Sequence, residues 1–142
     1  MTYYADLERY EYMPETVPEG QVALTVGWLD AKHAFPTGPS AEDFVERLFE
    51  RCKSDRHAQT RGYKDCALCW TDGIDEWPVV AERDGVTLNM GDAEVRVSDG
   101  GIWLVAPNLI YHYVVKHNYL PPGRFVEAVM SGERIEQHWM SP

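Results

Sequence analysis

An α+β fold, with a small and mostly antiparallel sheet and three main helices, follows from two patterns in the sequence. Between Trp77 and Pro107 the chain reads as four short runs, WPVVAE, GVTLNM, DAEVRV and GIWLVA, rich in β-branched residues and parted by Asp/Gly turns. On either side of that block apolar residues recur three and four positions apart, the period of a helix face. A chain of 142 residues is the usual size of one domain. Residues 1–142 are therefore expected as a single domain, with an aromatic N-terminal arm at 1–20 and a short C-terminal tail at 132–142.

The arm carries Tyr3, Tyr4, Tyr10, Tyr12 and Met13, then Pro14 and Pro18, and is too aromatic to hang free; it is expected to pack on the domain. QVALTVGWL at 21–29 is predicted as a strand, ended by the turn-prone DAKHAFPTGPS. Ser40 followed by Asp43 resembles a capping box and predicts a helix over about 40–53. Phe44, Val45, Leu48, Phe49 and Cys52 form its buried stripe, so Cys52 is expected in the core. Within the β block, Ser98-Asp99-Gly100-Gly101 marks a hairpin. NLIYHYVVKH then returns to helical spacing, with Leu109, Ile110, Tyr113, Val114 and His117 on one side. Pro121 and Pro122 open a last helix, which buries Phe125, Val126, Val129 and Met130 and ends near Gly132.

The net charge is −10, with acids scattered among aromatics, and such a surface repels phosphate backbones. The densest basic stretch, RCKSDRHAQTR at 51–61, is short and interrupted by Asp55, so nucleic-acid binding is disfavoured. A basic protein partner fits the charge better. No apolar run approaches the eighteen or so residues of a membrane span. The first residues are acidic where an export signal has a basic flank and an apolar block, which makes the cytoplasm the expected compartment.

Three cysteines are too few for a disulfide framework, yet two of them form the C-x-x-C of KDCALCW. Such a knuckle sets two thiolates at a separation that suits tetrahedral zinc, which needs two more nitrogen or sulfur ligands from elsewhere. Downstream, strands lead into a helix bearing His112 and His117. The order Cys66-x2-Cys69, hairpin, His112-x4-His117 resembles a Cys2His2 finger, here embedded in a larger domain because 42 residues separate Cys69 from His112. A structural zinc held by Cys66, Cys69, His112 and His117 is thus the leading expectation. At about 100° per residue the two histidines lie about 140° apart on an ideal helix, so the helix must loosen near Lys116. Three alternatives stay open: a site that pairs the cysteines with His33, Cys52, His57 or one helical histidine; a redox pair; and two incidental thiols.

Asp30 and His33 form half of an acid–base device in a loop, against which an ordinary turn competes. Glu82 with Asp84, and Asp92 with Glu94, are paired acids on turns of the β block and are expected to be solvated. No nucleophile elbow, phosphate-binding glycine loop or H-E-x-x-H helix occurs.

Taken together, YYADLERYEYMPE, VGWLDAKHAFPTG, TRGYKDCALC and APNLIYHYVVKHNYLPPGRFVEAV resemble a family of small, acidic, uncharacterised bacterial cytoplasmic proteins, over nearly the whole chain. Its motifs are GWLD…H-x-FPTG, RG-x3-CxxC and AP-x-LIYHYV-x2-H-x-Y-x-PP. The resemblance implies a metal site at Cys66, Cys69, His112 and His117 and supplies no catalytic residue. The functional expectation is a zinc-stabilised protein-binding or regulatory module, of immunity type, whose acidic face meets a basic partner. A small zinc-dependent hydrolase using Asp30 or Glu82 as base is the alternative.

Overall fold

A computed structural model describes residues 3–74, 76–131 and 133–135. In chain order the elements are β1 (Ala23–Thr25), α1 (Glu42–Ser54), α2 (Ala67–Thr71), β2 (Val79–Arg83), β3 (Val86–Met90), β4 (Glu94–Asp99), β5 (Ile102–Pro107), α3 (Ile110–His117) and α4 (Gly123–Ser131). The fold is α+β, as the two sequence periods require. Among the described residues there are two sheets instead of one: a three-stranded one in the order β1-β5-β4 and a separate β2-β3 hairpin. β4 and β5 pair antiparallel, with Val97 opposite Leu104, while β1 runs parallel to β5, with Ala23 opposite Trp103.

β4 is buried on both faces, and its alternation shows why. Val95 and Val97 join Leu104 and Ala106 in the main core beneath α1, α3 and α4. Glu94 and Arg96 point the other way, beneath the N-terminal arm. Under the arm Trp28 and Trp103 pack with Tyr10, Ala23 and Val105. Trp28 meets Tyr4 edge to face at 5.6 Å and donates its indole N–H to the Val105 carbonyl at 2.9 Å. The arm also caps the free edge of β1, through Tyr10 N–H to Ala23 O at 2.9 Å and Thr25 N–H to Glu8 O at 2.8 Å. An aromatic arm thus does the work of a further layer, and an otherwise open strand edge is covered.

Three local expectations need correction. The strand predicted over 21–29 pairs only at Ala23–Thr25. Gly27 ends it, in the left-handed region at φ +76°, where a Cβ would come within 2.9 Å of Ile110 Cδ1. α1 starts at Glu42 after Ala41, and no side chain caps it; the predicted Ser40 cap is not made, and the Asp43 carboxylate takes the Phe44 N–H at 2.8 Å instead. Asp92 and Glu94, expected in solvent, are buried: Gln59 and Asn108 donate to Asp92 and Arg56 pairs with it, while Glu94 accepts from Tyr10 Oη at 2.7 Å and from Arg96 at 2.7 and 3.0 Å. Cys52 lies in the core as expected, and burial pushes its thiol up to about 12. α4 ends at Ser131; of the predicted tail, Gly132 and residues 136–142 lie outside the described residues.

Candidate metal centre

Cys66 and Cys69 arrive on a loop that the β block holds by its backbone. Lys64 donates its N–H to Gly91 O at 2.9 Å, and Gly91 donates to Asn108 Oδ1 at 2.7 Å. The approach demands glycine: at φ +103° a Cβ on residue 91 would stand 2.4 Å from the Lys64 carbonyl oxygen. The chain then turns into α2, with Cys66 at its N-cap and the Cys69 N–H donating to Cys66 Sγ at 3.4 Å. Cys69 is the single buried residue of this five-residue helix. So short a helix has no stability of its own and depends on what holds its first turn.

The imidazoles come from α3, which follows β5 directly. The Asn108 side chain fixes that junction, donating to Asp92 Oδ1 at 3.2 Å while it accepts from Gly91. α3 loosens at its end, as the 140° separation requires. Asn118 sits in the left-handed region, and its N–H bonds to Tyr113 O, five residues back where a regular helix uses four. This wide last turn swings His117 toward His112, and the ring centroids are 5.1 Å apart.

All four donor atoms, two Sγ and two imidazole nitrogens, lie within 4.8 Å of one another. His112 Nε2 is 3.2 Å from Cys69 Sγ, and His117 Nε2 is 3.4 Å from Cys69 Sγ and 3.5 Å from Cys66 Sγ. A tetrahedral ion with ordinary metal–sulfur and metal–nitrogen bonds has S···N edges of about 3.5 Å, so these separations fit one ion at the centre. The donors are arranged to hold a metal.

The electrostatics agree. Cys66 and Cys69 are 1 % exposed and His112 is 8 % exposed. Burial pushes the Cys66 thiol up to about 12 and the His112 imidazole down to about 4, and it lowers His117 as well. Neutral imidazoles are the form that binds a metal. Buried thiolates, by contrast, are costly until a cation compensates them. A divalent ion supplies that compensation.

Among the described residues this is the one cluster of three or more such side chains able to hold a metal. His33, Cys52 and His57, the alternative ligands, lie outside it. His57 is buried in a bridge to Glu94, and burial takes its imidazole down to about 4. His33 is exposed, stacked on Tyr3 at 3.8 Å, with Nδ1 2.7 Å from Asp30 Oδ1. Asp30 also accepts the Lys32 and His33 amides, and this is the hydrogen bonding of a turn. The C-x-x-C does begin a helix, which the sequence did not suggest, but irregular chain precedes it where a redox motif of thioredoxin type has a strand.

The sequence profile of one family, described as Domain of unknown function (DUF7919), matches residues 2–130. No curated protein and no solved structure matches the chain.

Proposed function

The chain belongs to the DUF7919 family, whose profile spans it from residue 2 to residue 130, and we propose that it is a zinc-stabilised protein-binding module in which Cys66, Cys69, His112 and His117 hold the ion. The observation that carries this reading is the convergence of four donors within 4.8 Å, from two segments distant in sequence, with both thiols buried. Two sulfurs and two nitrogens in a tetrahedral arrangement favour zinc over calcium or magnesium, which take oxygen. Bound there, zinc would tie the knuckle to α3 and take the place of a hydrophobic anchor for α2.

Four protein ligands close the coordination sphere, whereas a hydrolytic zinc keeps a position for water beside a base. Asp30 is engaged with His33, and Glu82 lies 3.4 Å from the Thr87 hydroxyl. These features support a module over a hydrolase. The net charge of −10 supports a basic protein as partner, captured in the manner of an immunity protein.

Elemental analysis of the purified protein should find about one zinc per chain, and chelation should lower the Tm markedly, since metal binding in such sites is folding free energy. Cys66→Ser should abolish both the zinc and the chelator effect. A metal-free wild type that melts like the Cys66→Ser variant would refute the zinc.

A further inference from the structure

Of the four described tryptophans, Trp28 and Trp103 are core, at 2 % and 9 % exposed, while Trp70 and Trp77 are 54 % and 61 % exposed. Both exposed indoles belong to the segment that begins with the knuckle, Trp70 on α2 and Trp77 in the irregular chain after it. Trp70 follows Cys69 directly in α2, and Ile74 N–H closes the loop onto Cys69 O at 2.8 Å. Trp77 is held in place by its indole N–H, which donates to the Tyr63 carbonyl at 2.8 Å. An exposed but fixed indole such as that of Trp77 loses little freedom on binding, and tryptophan is enriched at interface hot spots.

The segment that carries them is acidic. From Asp65 to Glu82 the chain carries five acids and no Lys or Arg, the flanking cations being Lys64 and Arg83. Asp72 and Glu76 are exposed, and each lies close enough to an imidazole, His117 and His112 respectively, for its charge to be felt there. The Glu76 carboxylate is oriented by the Val80 N–H at 3.0 Å. Lys116 on α3 acts on both imidazoles in the opposite sense, one cation against the acids of the segment. Two thiolates and a divalent ion sum to zero, so a bound zinc would not neutralise these acids.

We propose that the Trp70/Trp77 face is the docking surface for a cationic peptide segment of a protein partner, with an Arg or Lys side chain lying on an indole and its charge met by Asp72 and Glu76. A guanidinium over an indole face, desolvated beside carboxylates, joins two attractions that neither a neutral nor an anionic ligand can use. The inference rests on the reading of the chain as a module for a basic partner, and it gives that module its surface.

The test uses fluorescein-labelled octa-arginine, titrated by anisotropy against the full chain with its metal content measured, at low and at physiological salt. Wild type should bind, more weakly as salt rises. Trp70→Ala/Trp77→Ala should weaken binding about tenfold with metal content unchanged. Asp72→Asn/Glu76→Gln should weaken it more than Glu8→Gln/Glu11→Gln, which changes the net charge equally but on the arm. Binding insensitive to the indoles, or equal losses from the two charge pairs, overturns this surface and leaves the module intact. Absence of any octa-arginine binding overturns both. Self-association, or adsorption to neutral phosphatidylcholine vesicles, that the indole variant abolishes would assign the face to a second copy or to a lipid surface, and would overturn the proposal.

Discussion

Gly91 shows how much of the metal centre hangs on a residue that touches no ligand. Because a Cβ there would collide with the Lys64 carbonyl oxygen at 2.4 Å, Gly91→Ala must push away the segment that delivers Cys66. The strained φ and the displacement together should cost about 2 kcal/mol or more. Competition with a chromogenic chelator should show weaker zinc affinity, and wild-type affinity in that variant would disprove the positioning role. His57 offers a separate test. Its folded pKa near 4 lies below the ordinary 6.5, depressed by burial and then by Arg96 and Arg51, with Asp55 opposing. The unfolded chain therefore takes up the proton first, so this contribution is complete above pH 6.5 and is lost as pH falls from there toward 4. Denaturant titrations of chelated protein across that window should show a loss on the order of 2 kcal/mol that His57→Gln removes. An identical pH slope in wild type and variant would exclude His57. The four residues that converge are legible, because C-x-x-C and H-x4-H are local spacings with a chemical reason. Asp92 and Glu94 are not: acids on turns are usually wet, and the partners that bury them, Arg56 and Tyr10, stand far away in the sequence.

Among the elements, α2 is the one that the amino-acid pattern hides and that the proposed zinc would explain. Five residues with one buried side chain, itself a member of the Cys/His cluster, have no independent reason to stay helical. Zinc removal should thus act locally before it acts globally. Hydrogen exchange followed by mass spectrometry should show residues 64–77 losing protection on chelation while β4 and β5 keep theirs. Uniform loss over the whole chain would mean that the metal supports the entire core. The long helices and the hairpin strands could be read in advance, since their apolar periods survive in the packed structure. β1 is shorter and α1 starts later than the sequence pattern predicts, for opposite reasons. Gly27 bends because Ile110 from α3 needs its space, a tertiary demand that QVALTVGWL does not display. Ser40 matches a capping pattern, but Ala41 already occupies the cap position. Helix geometry alone requires unwinding near Lys116, and the wide turn at Asn118 supplies it.

For the molecule as a whole, the α+β class followed from the two sequence periods, whereas the division into two sheets did not. The reason lies in pairing: a sequence displays which segments are strands but not which edges meet. The parallel match of Ala23 with Trp103 is the clearest instance. It also governs how the chain reaches its native state. β1 and the thiols of the knuckle find their partners in the segment from Trp103 to His117, far along the polypeptide, while the arm waits on β1 itself. Loop-closure entropy must be met before any of these contacts forms, which places the molecule among slow folders. Stopped-flow refolding should run on the scale of milliseconds to seconds, with burial of Trp28 and capture of zinc arriving together in the last phase; early quenching of Trp28 ahead of metal uptake would contradict this. On the ribosome the consequence is sharper. Trp28 and the two knuckle cysteines emerge well before Val105 and the two histidines that meet them, so the nascent chain carries an indole and two oxidisable thiols uncovered while its β block is being made.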